Sequence, residues 1–165
     1  MAQSLPYAER PYRPCVGLML LNRHGHVFVA QRIDQRAEAW QMPQGGIDKG
    51  EDPREAGLRE LTEETSIPAD RVRILAESAD WIPYDLPPDI ADKVWKGRFR
   101  GQTQKWLLLR LDGPDSLIDL ATEHPEFNAW KWVPVDEVVD FAIDFKRDNY
   151  RRVVEEFHSQ CRPAA

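Results

Sequence analysis

Apolar residues concentrate in short runs along the chain, separated by polar and proline-containing segments. Two runs lie on either side of Asn22–Gly25 in CVGLMLLNRHGHVFVAQR, a pattern typical of two strands joined by a turn. Further strands are predicted in RVRILAES and QKWLLLRL, and a short one in AWKWVPV. The stretch between RVRILAES and QKWLLLRL, DWIPYDLPPDIADKVWKGRFRG, follows neither the strand nor the helix period, which predicts an irregular loop.

Helical spacing appears in the other segments. One helix is predicted after Asp52 and Pro53, because Asp is a good N-cap and Pro suits the first helical position. Another is predicted from about Asp136, and a last one from Lys146 or Arg147. The last helix repeats apolar residues at helical spacing: Tyr150, Val153, Val154 and Phe157. This order of elements suits a mixed sheet between helices, in the α/β class.

Composition narrows the class of protein. A chain of 165 residues is expected to form one domain, and no apolar run approaches the ~18 residues of a membrane span. The polar N-terminus does not resemble a secretory signal. Cys15 and Cys161 show no metal or redox spacing, so we expect reduced thiols and a cytoplasmic location. The net charge of −6 argues against coating a DNA duplex or other long nucleic acid, but leaves recognition of one phosphorylated end.

The candidate chemistry lies in GGIDKGEDPREAGLRELTEETSI, residues 45–67. On a helical projection Glu60, Glu63 and Glu64 share an arc of roughly 100°, next to a separate apolar stripe. Ala56 and Gly57 fall in the carboxylate arc one turn earlier, and we expect these small residues to let another group approach the helix. The pattern has two interpretations. It is a solvated acidic face, where like charges cost only ~0.2–0.5 kcal/mol per pair, or it holds a divalent cation such as Mg²⁺, which prefers carboxylate oxygens.

The whole string favours the cation, because it closely resembles the signature of the Nudix hydrolases. The matching positions are Gly45, Glu51, Arg59, Glu60, Leu61, Glu63, Glu64 and Ile67. The resemblance implies a Nudix α/β/α sandwich with a mixed β-sheet between helices. It implies one domain over residues 1–165, with a short flexible N-terminus at about 1–11. Ser66 stands where the family usually has Gly, so the helix either accepts a left-handed residue there or ends differently.

Segments outside the signature resemble one branch of the family, the bacterial RNA pyrophosphohydrolases and dinucleoside polyphosphate hydrolases. They include YRPCVGLMLLNRHGHVF, WQMPQGGID, ADWIPYDLP, PEFNAWKWV and FKRDNYRRVVEEF. The similarity runs from about Tyr12 to Phe157 and requires only small insertions, one of them near Arg36–Glu38.

The resemblance implies roles for the acidic residues. Glu60 and Glu64 are the main metal ligands, supplemented by the Gly45 carbonyl and by Glu126. Without the resemblance, Glu126 would be read as an ordinary surface residue. Glu63 either shares a metal or helps to take the proton from the attacking water, and these two roles remain open.

The resemblance also implies supporting groups and a cofactor. Arg59 and Glu51 are expected to form an ion pair that orients the signature without touching the chemistry. Mg²⁺ is the implied cofactor, with Mn²⁺ as a substitute.

Five residues are expected to bind the substrate. Arg32 and Arg13 match phosphate-binding arginines, whereas on their own they would be read as exposed strand residues. Phe145 and Lys146 match an aromatic–basic pair that stacks a base and holds a phosphate, and the alternative is an apolar anchor of the last helix. Tyr84 is expected to line the polyphosphate or base site.

The function implied is a metal-dependent pyrophosphohydrolase. Its substrates would be 5′-triphosphorylated RNA ends and dinucleoside polyphosphates. Alternatives are an enzyme acting mainly on diadenosine tetraphosphate, one that sanitises nucleoside triphosphates, or a catalytically dead nucleotide-binding module. The last is disfavoured because every glutamate of the signature is present. No membrane partner is expected, and the oligomeric state is left open.

Overall fold

The protein is built around a mixed β-sheet with helices on both faces. The structure is a computed structural model and describes residues 5–34 and 39–165. The strands described are β1 (Tyr12–Leu21), β2 (Val27–Arg32), β3 (Gln44–Gly46), β4 (Val72–Glu77), β5 (Ile82–Asp85), β6 (Gly101–Leu111) and β7 (Phe127–Val133). The α-helices described are α1 (Pro53–Thr65), α2 (Pro88–Ala91), α3 (Val138–Phe141) and α4 (Arg147–Phe157). The insertion expected near residues 36–38 falls outside the described residues.

Strand β1 lies in the middle of the sheet, whose order is β4-β6-β1-β2-β7. It runs parallel to β6 from the Tyr12–Gly101 pair to the Leu21–Arg110 pair, while the other strand pairs are antiparallel. Helical layers cover both faces of β1, which explains why its sequence is an unbroken apolar run rather than an alternation.

Two cores fill the space between the sheet and its helices. The first lies under α1 and includes Val16, Leu18, Phe28, Leu61, Ile67 and Leu107. The second lies under α3 and α4 and includes Met19, Leu21, Trp106, Leu108, Tyr150, Val153 and Phe157. Successive residues of β1 alternate between the two cores, as the two-residue period of a strand requires. The α/β/α sandwich is therefore confirmed.

The segment 41–46 is inserted between β1 and β2. These two strands pair only beside their turn, at Leu21 and Val27, and then separate. Gln41 exchanges two backbone hydrogen bonds of 2.8 Å with Ala30 of β2, and the Pro43 carbonyl accepts from the Leu18 amide of β1 at 2.9 Å. The insertion places the Gly45–Gly46 pair inside the sheet, next to β1.

The prediction of an irregular loop over residues 80–101 was wrong in part. This stretch contains β5, which pairs with β6 from Ile82–Gln104 to Asp85–Gly101, and the short helix α2. Its periodicity is hidden because β5 is only four residues long and the prolines that follow interrupt any repeat. The other predicted strands and the last helix are confirmed.

Part of the segment expected to be flexible, at about residues 1–11, contacts the domain. The Tyr7 hydroxyl donates to the Leu86 carbonyl at 2.6 Å, and Arg10 donates to the Asp92 carboxylate at 2.7 Å. In the described part of the chain, no helix is long and apolar enough to cross a membrane.

Candidate active site

Helix α1 begins and ends as its sequence dictates, apart from one strained residue. The Asp52 carboxylate accepts from the Arg54 amide at 2.7 Å, and Pro53 occupies the first turn. At the other end Ser66 adopts a left-handed conformation, with φ 68° and ψ 0°. Its hydroxyl donates to the Asp119 carbonyl at 2.8 Å, and this bond helps to hold the residue there. Of the two alternatives for Ser66, the helix takes the one that accepts the strain.

The group that approaches the small residues of α1 is the sheet. Ala56 and Gly57 are buried against the sheet. A Cβ on Gly57 would lie 2.6 Å from Leu107 Cδ1 and 3.1 Å from Leu18 Cδ2. Gly57 therefore lets the helix approach β1 and β6, and this close packing fixes the position of the carboxylates one turn later.

The three predicted site glutamates of α1, Glu60, Glu63 and Glu64, occupy three different environments. Glu64 is only 3% exposed, the Glu60 side chain is 14% exposed, and the Glu63 side chain is 57% exposed. Burial raises the pKa of Glu60, and it raises the pKa of Glu64 well above its usual range. The neighbouring carboxylates of Glu126 and Glu60 add to the rise at Glu64. The interpretation as a solvated acidic face does not fit this gradient.

Two observations show that the oxygen atoms of Glu60, Glu64 and Gly45 suit a divalent cation. Glu64 Oε2 is buried and has no hydrogen-bond partner, an arrangement that is costly unless an external group completes it. The Glu60 carboxylate packs directly on Gly45, where any Cβ would overlap it. Only glycine permits this contact between the inserted strand β3 and α1. Carboxylate and backbone oxygens are the ligands that Mg²⁺ prefers.

Arg59 links α1, the acidic helix, to β3, which contains Gly45 and Gly46 and is called the Gly-Gly strand below. It donates two hydrogen bonds of 2.9 Å to Glu51, one of 3.0 Å to the Gly46 carbonyl and one of 2.9 Å to Glu60. The paired guanidinium lowers the pKa of Glu51 to about 2. Arg59 also reaches Glu63 at 3.3 Å, so it holds two carboxylates of the helix as well as its predicted partner.

Glu126 lies beside the acidic helix. It precedes β7, and its carbonyl accepts from the Ile33 amide at 2.9 Å. The structure therefore gathers the four predicted carboxylates around one cleft of about 630 Å³, the carboxylate cleft, lined by Glu60, Glu63, Glu64, Glu126, Thr122 and their neighbours. Over residues 5–34 and 39–165, no three His, Cys, Asp or Glu side chains form a ready-made metal cluster.

Four of the predicted substrate residues line a second cleft of about 840 Å³, the aromatic cleft: Arg32, Tyr84, Phe145 and Lys146. The rings of Tyr84 and Phe145 are stacked, with centroids 6.3 Å apart and an angle of 21° between their planes. Tyr84 is itself buried and donates from its hydroxyl to Gln102 at 3.0 Å, so mainly Phe145 offers a face to a ligand.

Lys146 and Arg32 give the aromatic cleft its positive charge. Lys146 is 5% exposed, and its ammonium donates to Gln41 Oε1 at 3.3 Å. Burial, together with the Arg32 cation, lowers the pKa of Lys146 to about 8. Arg32 forms a bidentate pair with Asp34, at 2.8 and 3.0 Å. The Ile33 amide, one residue after Arg32, donates to the Glu126 carbonyl, so Arg32 of the aromatic cleft lies near Glu126 of the carboxylate cleft.

Arg13, the fifth predicted substrate residue, lies next to the Gly-Gly strand. Its guanidinium fills the space that a Cβ on Gly46 would occupy, donates to Cys15 Sγ at 3.2 Å and covers the Trp95 ring at 4.9 Å. This position between the signature and the aromatic cleft suits a phosphate contact.

Several residues of the aromatic cleft were missed. Gln44 and Gln102 line it, and with Gln104 they form an amide network whose bonds measure 2.7–3.1 Å. The alternation of Gln102, Gln104 and Trp106 on one face of a strand was an available signal, because glutamines that point inward need partners. Trp95 also lines the cleft, but lay in the predicted loop without a periodic signal.

Fold and site together define a class: an α/β/α sandwich in which a carboxylate helix faces a Gly-Gly strand and adjoins a cationic, aromatic cleft. The family model described as the NUDIX domain matches residues 11–157. The chain therefore belongs to the Nudix family, as the signature predicted.

Relatives and solved structures agree with this membership. The chain is 56% identical to an "RNA pyrophosphohydrolase" of Roseobacter denitrificans, over 92% of this chain and 95% of the relative. It is 53% identical to a protein of the same name from Rhodospirillum rubrum, over 92% and 90% of the two chains. Among solved structures, the E. coli dihydroneopterin triphosphate pyrophosphohydrolase has a TM-score of 0.69 at 19% identity, over 89% of this chain and 99% of that one. A binary complex of C. elegans Ap4A hydrolase has a TM-score of 0.61 at 19% identity, over 88% and 98%. At these identities the solved structures bear on the fold alone.

Proposed function

We propose that this protein is a metal-dependent RNA pyrophosphohydrolase that removes pyrophosphate from 5′-triphosphorylated RNA ends and also hydrolyses dinucleoside polyphosphates. One observation carries the proposal: a cleft that contains a buried carboxylate oxygen without a hydrogen-bond partner lies beside a cleft that contains cations and an aromatic face. A phosphate chain that ends in a nucleoside has the chemistry to occupy both. The names of the curated relatives support the choice of RNA.

The carboxylate cleft would hold Mg²⁺, with Mn²⁺ as a substitute. Glu60 and Glu64 are the main proposed ligands, with the Gly45 carbonyl and Glu126 completing the set. A bound divalent cation neutralises charge on the phosphates and lowers the pKa of an attacking water. Glu63, the most exposed of the three predicted site glutamates of α1, either joins the ligands or accepts a proton from that water.

The other residues orient the substrate. Arg32, Lys146 and Arg13 place positive charge along the phosphate chain, where it stabilises the developing negative charge. Phe145 stacks the terminal base, which tolerates any base because every base has a π-face. Arg59 and Glu51 hold α1 and the Gly-Gly strand in register. We include a cytoplasmic location in the proposal, since both cysteines are free thiols.

A competition assay tests the choice of substrate. Triphosphorylated RNA and diadenosine tetraphosphate are mixed at equal concentration with Mg²⁺, and initial rates and products are measured. We expect pyrophosphate release from RNA, slower or comparable cleavage of the dinucleotide, and almost no reaction after chelation of the metal. Rapid cleavage of the dinucleotide with RNA ends scarcely touched would instead make diadenosine tetraphosphate the main substrate. Hydrolysis of neither, in the presence of metal, would favour a nucleotide-binding module without catalysis.

A further inference from the structure

A third cleft, of about 690 Å³, lies at the far end of β1 from the Gly-Gly strand. It is called the arginine cleft, because its lining includes Arg23, Arg73 and Arg110. Leu21, which pairs with Arg110, is five residues from Val16, the partner of Gly45. That separation is about 17 Å at ~3.3 Å per strand residue. None of the described residues that line the arginine cleft lines either of the other two clefts.

Arg110 is a buried cation in this cleft without an ionic partner. It is 7% exposed, and its guanidinium donates to the carbonyls of Asn22 and Arg162, both at 2.8 Å. Both acceptors are neutral, and a guanidinium has five N–H groups, so donors remain for a ligand. Within residues 5–34 and 39–165, Arg110 forms no ion pair. A buried charge is costly unless an opposite charge compensates it, so an anion in the cleft would stabilise Arg110.

Arg73 lies directly opposite Arg110. The two residues pair across β4 and β6, which puts their side chains on the same face of the sheet, where like charges destabilise the strand pair. The Arg73 side chain is exposed and makes no hydrogen bond or ion pair with the part of the chain that the structure describes. Arg23, on the turn between β1 and β2, is also exposed and donates to its neighbour His24 at 3.3 Å. The three guanidiniums therefore gather positive charge that the protein does not neutralise locally.

An anchoring role alone explains these arginines less well. Arg110 does tie the β1–β2 turn to the chain after α4, but two carbonyl acceptors require no charged donor and no second arginine opposite it. Asp112 and Asp115 also line the cleft, yet among the described residues neither forms an ion pair with an arginine. Asp115 instead accepts from the Trp132 indole at 3.2 Å. The lining thus has an excess of positive charge in a chain whose net charge is −6.

We propose that the arginine cleft is a phosphate-binding site separate from the active site. A guanidinium matches the oxygens of a phosphate group with two parallel hydrogen bonds, and it keeps its charge at any physiological pH. Two sources supply this chemistry: a phosphodiester of an RNA chain, or free inorganic phosphate. The inference goes beyond the proposed function, because it concerns binding at a cleft that contributes nothing to hydrolysis.

Nuclear magnetic resonance tests the inference, because backbone amide signals report on each cleft separately. Inorganic phosphate is titrated, at low chloride and without divalent metal, into wild type, Arg73→Gln, Arg23→Gln and Arg152→Gln. Arg152 is an exposed arginine of α4 outside the lining of the arginine cleft, so its substitution controls for the loss of one charge. Arg110 is left unchanged because it also holds the β1–β2 turn.

In the wild type we expect the amide signals of Arg23 and Asp112 to shift as phosphate is added. Arg73→Gln and Arg23→Gln should each raise the Kd measured at the arginine cleft by about tenfold, the scale of one lost hydrogen bond to a charged group. The response of the aromatic cleft to phosphate should not change, and Arg152→Gln should alter neither cleft. Unshifted amides in the arginine cleft of the wild type would overturn the inference. A Kd in Arg73→Gln equal to that in Arg152→Gln would also overturn it.

Oligonucleotide length distinguishes the two sources of phosphate. 5′-Phosphorylated diadenylate and an oligoadenylate of about twelve nucleotides, within the range that one single-strand binding site covers, are titrated into wild type and Arg73→Gln. A gain in affinity with length that disappears in Arg73→Gln assigns the cleft to the RNA chain. No gain, or a gain that Arg73→Gln retains, assigns it to free phosphate. Failure of the proposed function is recognised independently, by the absence of hydrolysis in the wild type with metal.

Discussion

The carboxylate cleft and the aromatic cleft each contain a buried ionisable side chain, acidic in the first and basic in the second. In the first, burial opposes the ionised form of Glu64, and nearby carboxylates make this worse. In the second, burial opposes the charged form of Lys146, and the Arg32 cation makes this worse. Each cleft contains a buried charge that its surroundings disfavour. A cation relieves the first and a phosphate relieves the second, so a metal–polyphosphate complex satisfies both at once.

The clefts also differ in how they are assembled. Three of the four carboxylates proposed as the site come from one helix, whose spacing sets their geometry, while the aromatic cleft joins β2, β5 and the start of α4, which are distant in sequence. From this difference we expect chemistry and recognition to be carried by separable groups. Substitutions in the carboxylate cleft should act on turnover, and those in the aromatic cleft on substrate affinity and choice.

The largest effect is expected from Glu64→Gln, which should lower kcat by about 100-fold or more at saturating Mg²⁺. In metal-free buffer the same variant should melt at an unchanged or slightly higher temperature, because it removes a buried charge near two other carboxylates. Glu55→Gln, at an exposed position of the same helix, is the matched control and should alter neither quantity. Near-normal turnover would refute the ligand assignment, and a collapse of the melting temperature would show that Glu64 is structural.

Phe145→Ala should have the next largest effect. Losing the stacking face should reduce kcat/KM by an amount that corresponds to ~1–3 kcal/mol of transition-state stabilisation. The dependence of the rate on metal concentration should not change. Trp81→Ala, which removes an exposed aromatic outside the cleft, provides the control. If Phe145→Ala instead shifted the concentration of Mg²⁺ needed for half-maximal rate, the two clefts would not be separable.

The different assembly of the clefts explains how much could be predicted. The carboxylate arc of α1, its N-cap at Asp52 and the strand β1 follow from local sequence patterns, and the structure has each where it was predicted. The family resemblance supplied Glu126, Arg32 and the Phe145–Lys146 pair, which the structure brings to the two clefts. Nothing local could have placed Glu126 beside Glu64, because their proximity depends on how β7 is positioned in the sheet.

Other features depended on tertiary structure. The insertion of residues 41–46 between two strands that read as a simple hairpin required the bonds to Ala30 and Leu18. Strand β5 exists because β6 offers it an edge, while its own sequence carries little strand signal. The small residues of α1 were expected to let another group approach the helix, but a projection of one helix shows only which residues share a face. It cannot show that the group above Gly57 is the sheet.

A smaller effect is expected from pH. In the proposed function the protonated Lys146 binds phosphate. Because its pKa is about 8, KM should then rise as the pH increases through 8. Lys146→Arg, which stays charged, should show a flatter KM profile between pH 7 and 9. Because the folded pKa lies below the usual value of 10.5, the stability of the free protein should increase between about pH 8 and 10.5. Identical profiles for wild type and Lys146→Arg would exclude this residue as the titrating cation.

The smallest effect concerns the left-handed residue at the end of α1. Ser66→Ala removes the hydrogen bond to Asp119 and keeps the strain, whereas Ser66→Gly removes both. The free energy of unfolding of the glycine variant, measured by chemical denaturation, should therefore be ~1 kcal/mol higher than that of the alanine variant. Equal stabilities would mean that the left-handed conformation carries no cost at this position.

The division between chemistry and recognition is tested most directly by measuring kcat and KM separately for pyrophosphate release from 5′-triphosphorylated RNA. Wild type, Glu64→Gln and Phe145→Ala are compared at saturating Mg²⁺. We expect Glu64→Gln to lose kcat while retaining a KM near that of wild type, and Phe145→Ala to lose kcat/KM chiefly through a higher KM. The account would be contradicted if both variants changed the same parameter to the same extent, or if the wild type released no pyrophosphate from RNA.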